Sequence, residues 1–480
     1  MSDIKNFRIQ LVEHLKNNHL LNQLTQSVTI VGSFYTKNDI SAFSDIDTIV
    51  IVQKLNKYVY NQIIAVFNSI SLEKFGLSGY QVIVNPTFGP LKFNQEKTLV
   101  FHVMIYDILG HRKHVIDSPF TCYEWQQHGS IVGKKLYEIY PSNALSLMDI
   151  SASRRGFLSY REDLQKEALT YRAYQFINDE IIEEKKLFVL DTRHQYEYAY
   201  HILKFLMKNI FSIIYQKHIF LDDDDLVNQF SDFDSSLHSL PKLYNTLGDI
   251  KSNSGKYQEG LLSKVQEQVH LISQWFERFH NNLPLISFYR HLSTDLNDGR
   301  FLGSLSDPDI NNSIIEKDSS IEICYTSTLK RTKSTANLLS SCQKSETPLL
   351  NEMNYGKAEG LTYEELKSNF GEIIEAWEQH LDIRFPGGES LEDVNKRLDL
   401  FVEENIRYSE HKVIGVVAHN VVIRVLLAKL FSIPLTLCYK FQIRHAEKIS
   451  CRYWKGSLIP ELTNEQRILY RDQYLVWTEQ

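Results

Sequence analysis

Phe288-Tyr289-Arg290-His291-Leu292-Ser293-Thr294-Asp295-Leu296-Asn297 carries an apolar segment, Leu285 to Tyr289, into a basic and then a polar one. An apolar run that ends on a chemically able side chain fits a buried strand delivering a residue to the edge of a sheet. Val413-Ile414-Gly415-Val416-Val417-Ala418-His419 has the same form and reads as a strand buried on both faces. His419 then lies at its carboxyl end, where ligands sit in open α/β sheets. Between these runs, Ile321 to Cys324 reads as a short strand leading into Ser327-x-Leu329-x-Arg331, and Ser334 to Leu339 begins a helix. Leu350-x-Glu352-x-x-x-Gly356 follows. Strands alternating with helices predict an α/β domain over 284–480.

Taken in chain order, these motifs resemble the histidine phosphatase (phosphoglycerate mutase-like) superfamily, whose signature is R-H-G-x-[ST]-x-x-N. Leu292 stands at the glycine, and Asn420 follows His419 where glycine is typical. The resemblance implies an α/β/α sandwich that cleaves phosphomonoesters without a cofactor. The chemistry accounts for the residue types. A neutral imidazole attacks phosphorus and forms a phosphohistidine, splitting one hard hydrolysis into two easier steps; His291 is the candidate nucleophile. Planar guanidinium forks suit the equatorial phosphoryl oxygens, and the resemblance assigns this cradle to Arg290, Arg331 and His419, with Asn297 orienting the phosphate. Glu352 sits at the family's proton-donor position, where a carboxyl of raised pKa protonates the leaving oxygen.

A second signal lies near the amino terminus. Val28-Thr29-Ile30-Val31-Gly32-Ser33 is followed by Phe43-Ser44-Asp45-Ile46-Asp47-Thr48-Ile49-Val50-Ile51-Val52. Gly-Ser and then Asp-x-Asp opening a β-branched strand resembles the polymerase-β-like nucleotidyltransferase superfamily. Gly32 lets backbone approach a triphosphate and Ser33 donates to it. Asp45 and Asp47, two apart, project to one face of an extended strand, an arrangement that holds Mg2+ shared with substrate phosphates. The resemblance implies two such ions. The family adds a third carboxylate on a later strand, and the two candidates are Gly79 to Val84 and Thr98 to Asp107. Asp107 at a strand end is a candidate third acid, and His102 a different ligand.

The chain has 480 residues and a net charge of -7. Its length predicts about three domains, placed at 1–149, a nucleotidyltransferase mixed sheet with helices; 150–283, a helical bundle; and 284–480, the phosphatase sandwich. In the middle region Arg161 to Glu184, Gln195 to Tyr215 and Gly260 to Asn281 read as long helices, the second with an aromatic and aliphatic stripe read as core. Asp222 to Asp225 reads as a solvated helix start rather than a metal cluster. Nothing basic enough for a polymeric nucleic acid stands out. Five cysteines show neither metal spacing nor a paired framework, which fits a reducing cytoplasm. Residues 1 to 24 read as an amphipathic helix rather than a targeting peptide, and no apolar run is long enough to span a bilayer.

The expectation is a bifunctional cytoplasmic enzyme. One site transfers a nucleotide from an NTP to a small sugar-like or polyol acceptor; the other hydrolyses a phosphorylated small molecule. Two further readings stay open: a phosphatase regulated by an inactive nucleotide-binding domain, and a transferase that modifies an antibiotic or a protein hydroxyl.

Overall fold

The computed structural model describes residues 2–35, 45–87, 97–142, 144–178, 180–219, 221–252, 256–311 and 313–476. Phe43 and Ser44 of the amino-terminal motif lie outside the described residues, as does the Ser33 side chain. Two compact units result, one of residues 1–142, 149–209 and 218–273, the other of 143–148, 210–217 and 274–480.

The first unit opens with a helix, Ser2–Lys16, whose Phe7, Leu11 and Leu15 recur every four residues and are buried. Its sheet contains β1 (Thr25–Val31), β2 (Ile46–Val52), β3 (Gln81–Asn85), β4 (Thr98–Asp107) and β5 (Val132–Gly133), in the order β3-β4-β2-β1-β5. β2, β4 and β3 run parallel, and β1 is antiparallel to β2 and β5. The β-branched and aliphatic runs of β1 and β2 bury Val28, Ile30, Val50 and Val52 in one core.

The helix expected over Arg161 to Glu184 is not what forms. A helix spans only Phe157–Lys166, followed by an antiparallel hairpin of β6 (Ala168–Ile177) and β7 (Glu180–Val189). Exposure alternates from Tyr174 to Ile177, which sets the half-buried Tyr174 and Phe176 on one pleated face, where aromatic residues pack well. Asn178 at φ 58 supplies the left-handed turn residue. Two glutamates of β7 instead reach across the ladder, Glu183 to Arg172 at 3.2 Å and Glu184 to Gln175 at 2.6 Å. Elsewhere the helical reading holds: Thr192–Tyr215 and Leu261–Asn282 are helices, and Tyr200, Leu203, Met207 and Phe211 of the first are buried. Asp222 caps a helix, its Oδ1 accepting the Asp225 N–H at 2.8 Å.

The second unit is built on β8 (Leu285–Arg290), β9 (Ile323–Thr326), β10 (Gln343–Glu346), β11 (Val413–Ala418), β12 (Lys448–Trp454) and β13 (Ser457–Pro460), ordered β10-β9-β11-β8-β12-β13. β10, β9, β11 and β8 are parallel; β12 and β13 add an antiparallel edge. β11 lies in the middle, and Ile414, Val416, Val417 and Ala418 are wholly buried, as its apolar run requires. His291 and His419 follow the carboxyl ends of adjacent parallel strands.

Gly356 explains the end of the Glu352 motif. Its φ is 53°, and a Cβ there would stand 2.3 Å from the Pro386 carbonyl oxygen. The close approach lets Lys357 N donate to Pro386 O and Glu389 N to Asn354 O. Glu389 is further gripped by Arg397 through bonds of 2.9 and 3.2 Å. In the helical segment from Tyr355 to Arg384, Glu364, Glu365, Glu372, Glu375 and Glu378 are exposed. Its acidity is therefore largely solvated, and only Glu359 turns inward, accepting the Gly303 and Ser306 N–H groups.

Among the described residues, no helix is long and apolar enough to cross a membrane.

Candidate active site

His291 is 3% exposed. Its Nδ1 lies 2.6 Å from the Leu292 carbonyl oxygen. A carbonyl only accepts, so Nδ1 carries the proton and Nε2 keeps its lone pair. Burial, aided by the charges of Arg331, Arg290 and His445, pushes the imidazole down to about 3, so the ring is neutral through the physiological range.

His419, fully buried, is held at both nitrogens. Arg331 Nε donates to Nδ1 at 3.2 Å, which leaves the proton on Nε2, and Nε2 donates to Ser327 Oγ at 2.8 Å. Burial first, then the neighbouring His291 and arginine charges, holds this ring well below the usual imidazole range. Its centroid is 5.1 Å from that of His291. The Ser327 hydroxyl continues to Thr332 Oγ1 at 2.7 Å, so the serine of the Ser-x-Leu-x-Arg motif orients the second histidine.

Arg331 is 0% exposed. Besides His419 it donates to Ser306 O at 2.8 Å and Gly303 O at 2.9 Å, thereby tying the loop after His291 to the pocket. Arg290 donates one N–H to Ile443 O, while its buried Nε–H has no partner. A buried guanidinium donor left unpaired beside a neutral imidazole is what an anionic ligand would satisfy.

Glu352 is 4% exposed, and burial raises its carboxyl despite opposing bonds from Met353 N and the charge of Arg331. Its Oε1 accepts Met353 N at 2.9 Å and Val421 N at 3.2 Å, the latter in the first turn of the helix Asn420–Leu430. Glu352 also acts electrostatically on both Arg290 and Arg331. Asn297 is not drawn in the same way. It is exposed, and its Oδ1 accepts Thr294 N at 2.7 Å, closing a turn in the following loop.

A model of the histidine phosphatase superfamily, branch 1, matches residues 286–466. These residues form a histidine phosphatase domain. The fructose-2,6-bisphosphatase of Saccharomyces cerevisiae is 34% identical over 111 residues, 23% of this chain and 24% of that protein. A 6-phosphofructo-2-kinase/fructose-2,6-bisphosphatase of Arabidopsis thaliana is 38% identical over 112 residues, 23% of this chain and 15% of its own length. Phosphoserine phosphatase 1 of Hydrogenobacter thermophilus is 28% identical over 166 residues, covering 32% and 78%. The chain thus spans less than a quarter of the length of the first two relatives.

The histidine phosphatase domain holds one pocket residue that the sequence reading missed. His445 Nδ1 lies 3.0 Å from the His291 carbonyl oxygen, and the two rings are 5.4 Å apart. Burial, with the charge of Arg290, lowers its pKa. No motif spacing marks it, because it arrives with β12, the antiparallel neighbour of β8.

The match to the histidine phosphatase family stops short of the amino-terminal sheet. There Val31 and Asp47 are register partners, as are Asp47 and His102, which brings Gly32, Asp47 and His102 to one place. His102 Nδ1 is 2.8 Å from Asp47 Oδ1 and 3.9 Å from Asp45 Oδ2. Burial lowers the His102 pKa, but bonding to Asp47 and the charges of Asp47 and Asp45 outweigh it and leave the pKa raised. Asp107, the expected third acid, is elsewhere. It pairs with Val52 at the far end of β4, and its Oδ1 accepts Gly110 N at 2.7 Å as a helix N-cap.

Proposed function

We propose that the histidine phosphatase domain hydrolyses small phosphomonoesters through a phosphohistidine on His291 Nε2. The observation that carries this is the fixed tautomer, Nδ1–H on the Leu292 carbonyl, which leaves a neutral nucleophile beside the unpaired N–H of Arg290. The Nε2 lone pair forms the N–P bond as the ester P–O bond breaks, and protonated Glu352 gives its proton to the departing alcohol oxygen. Water then attacks phosphorus, the carboxylate takes its proton, the N–P bond breaks, and orthophosphate leaves with His291 neutral again. Arg290 holds the equatorial oxygens through its unpaired Nε–H, while Arg331 and Ser327 fix His419 and Arg331 ties the loop to the pocket. The relatives' names span sugar bisphosphates and an amino-acid phosphate, so the substrate class is a small polar monoester. Turnover of a panel of sugar, polyol and amino-acid phosphates, with acid-labile phosphoenzyme trapped during turnover, tests the reading; the absence of any turnover would end it.

Ser327→Ala removes the acceptor of a buried His419 N–H. Leaving such a donor unmet costs about 1–3 kcal/mol of folding stability, so the variant should melt below the wild type, and any loss of kcat/KM in folded protein reports the reorientation of His419. Steady-state kinetics beside a thermal melt checks this.

A second reading concerns the amino-terminal sheet: nucleotidyl transfer from an NTP to a small acceptor. The observation favouring it is the convergence of Asp45 and Asp47 beside Gly32, whose φ is 71° and whose Cβ would stand 3.0 Å from Asp47 Oδ2. The residues fit a divalent cation, held by Asp45 and Asp47, that would neutralise triphosphate oxygens when bound. Among the described residues no third carboxylate joins them, as two magnesium ions would require. Pyrophosphate released from any ribonucleoside triphosphate, and lost in the Asp45→Asn, Asp47→Asn double variant, supports transfer; no release with any of the four removes it.

A further inference from the structure

The strand register sets an imidazole where a third carboxylate was expected. Asp47 on β2 is the partner of His102 on β4, and ligand atoms of Asp45, Asp47 and His102 all lie within 4.8 Å of one another. His102 is 8% exposed, whereas the Asp45 and Asp47 side chains are 23% and 28% exposed. The imidazole thus forms the floor of the cluster, and the carboxylates its open side.

An independent observation concerns the far side of the ring. His102 Nε2 bonds to the Thr87 carbonyl oxygen. That bond requires a proton on Nε2 and aims Nδ1 at the two carboxylates, where Nδ1–H donates to Asp47 Oδ1 at 2.8 Å. A bound cation takes the place of that Nδ1 proton, which is released to solvent. A ring nitrogen donating to a backbone carbonyl while the other faces oxygen donors is the usual support of a metal-bound histidine. Two carboxylates and one imidazole leave coordination positions free on the exposed side for water or substrate oxygens.

The donor set also speaks to the cation. Mg2+ prefers oxygen ligands and sheds water reluctantly, whereas imidazole favours first-row transition ions in the Irving–Williams order. We propose that Asp45, Asp47 and His102 Nδ1 bind one divalent first-row transition cation, of the Mn2+, Co2+ and Zn2+ class, in preference to Mg2+. The site is the one on which the transfer reading depends, but cation binding is read without nucleotide, so a failure of transfer leaves it standing.

The test uses the full chain freed of metal by chelation. Co2+ and Mg2+ are titrated separately by calorimetry, and Co2+ binding is also followed by its visible absorption. The expected result is one Co2+ per chain, bound at least roughly tenfold more tightly than Mg2+. His102→Gln should weaken Co2+ binding about tenfold or more and change its spectrum, while leaving Mg2+ affinity nearly unchanged. Asp47→Asn should weaken both. Circular dichroism melts establish that the variants are folded, and the wild-type preference is decided without any variant. Equal affinity for the two ions, Co2+ binding indifferent to His102→Gln, or no binding of either ion would each overturn the proposal.

Discussion

Replacing His291 with alanine is expected to lower phosphomonoester turnover by about ten-thousandfold or more, the scale seen when a covalent nucleophile is removed. His419 cannot take its place, because both its ring nitrogens are engaged, by Arg331 and Ser327. His445, whose Nδ1 bonds to the backbone carbonyl of residue 291, keeps an Nε2 lone pair and is the neighbour on which a residual phosphoenzyme would be sought. Arg290, Arg331 and Glu352 remain in the variant, so inhibition by orthophosphate should persist while the phosphoenzyme disappears. That combination separates loss of the nucleophile from loss of the pocket. Residual turnover within about a hundredfold of wild type, with a trapped phosphoenzyme, would place the covalent step on another residue. The wild-type pH profile should show no acid limb near neutrality. A ring pushed down to about 3 is already neutral above that pH, so the nucleophile does not limit the rate there.

Much of this pocket is visible in the chain because parallel strands buried on both faces are long apolar runs that stop where chemistry begins. Leu285 to Tyr289 and Val413 to Ala418 are adjacent strands, and each is followed at its carboxyl end by a histidine. Contacts made by antiparallel return are not visible in this way. His445 reaches His291 across 154 residues because β12 folds back beside β8, and nothing near Arg444-His445-Ala446 states that partner. Asn297 matches a family position by spacing, yet spacing does not say whether an amide faces phosphate or, as here, closes its own turn on Thr294. Asp107 was legible in principle. An aspartate between a strand and a helix, three residues before Gly110, is an N-cap pattern, and the search for a third acid competed with it. The hairpin at 168–189 was hidden by composition: lysine and glutamate suggest a helix, and only the alternation of Tyr174 and Phe176 with smaller or polar neighbours, ending at Asn178, marks the strand.

Glu352→Gln should separate catalysis from stability, with opposite signs. Glutamine keeps the shape and an oxygen to accept the Met353 and Val421 N–H groups but has no acidic proton to deliver. The loss in kcat should reach about a hundred- to ten-thousandfold on alkyl phosphates, whose leaving oxygen needs protonation. With p-nitrophenyl phosphate, whose phenolate leaves unaided, it should be much smaller. In the wild type the rate should fall as pH rises through the Glu352 pKa, because the acid form is the active one; the variant should lack that limb. Stability runs the other way. Burial raises the folded-state pKa, so the folded protein holds this proton more tightly than the unfolded chain does. The wild type therefore loses stability as pH climbs from the unfolded carboxyl value, about 4.3, through the folded value, and stays at the lower level above it. The variant escapes that loss and should melt above the wild type at pH 8, with the gap closing near pH 4. Equal losses with both leaving groups would remove Glu352 from the proton transfer. A variant no more stable than wild type at pH 8 would show instead that its backbone donors fully offset the cost of burying the charge.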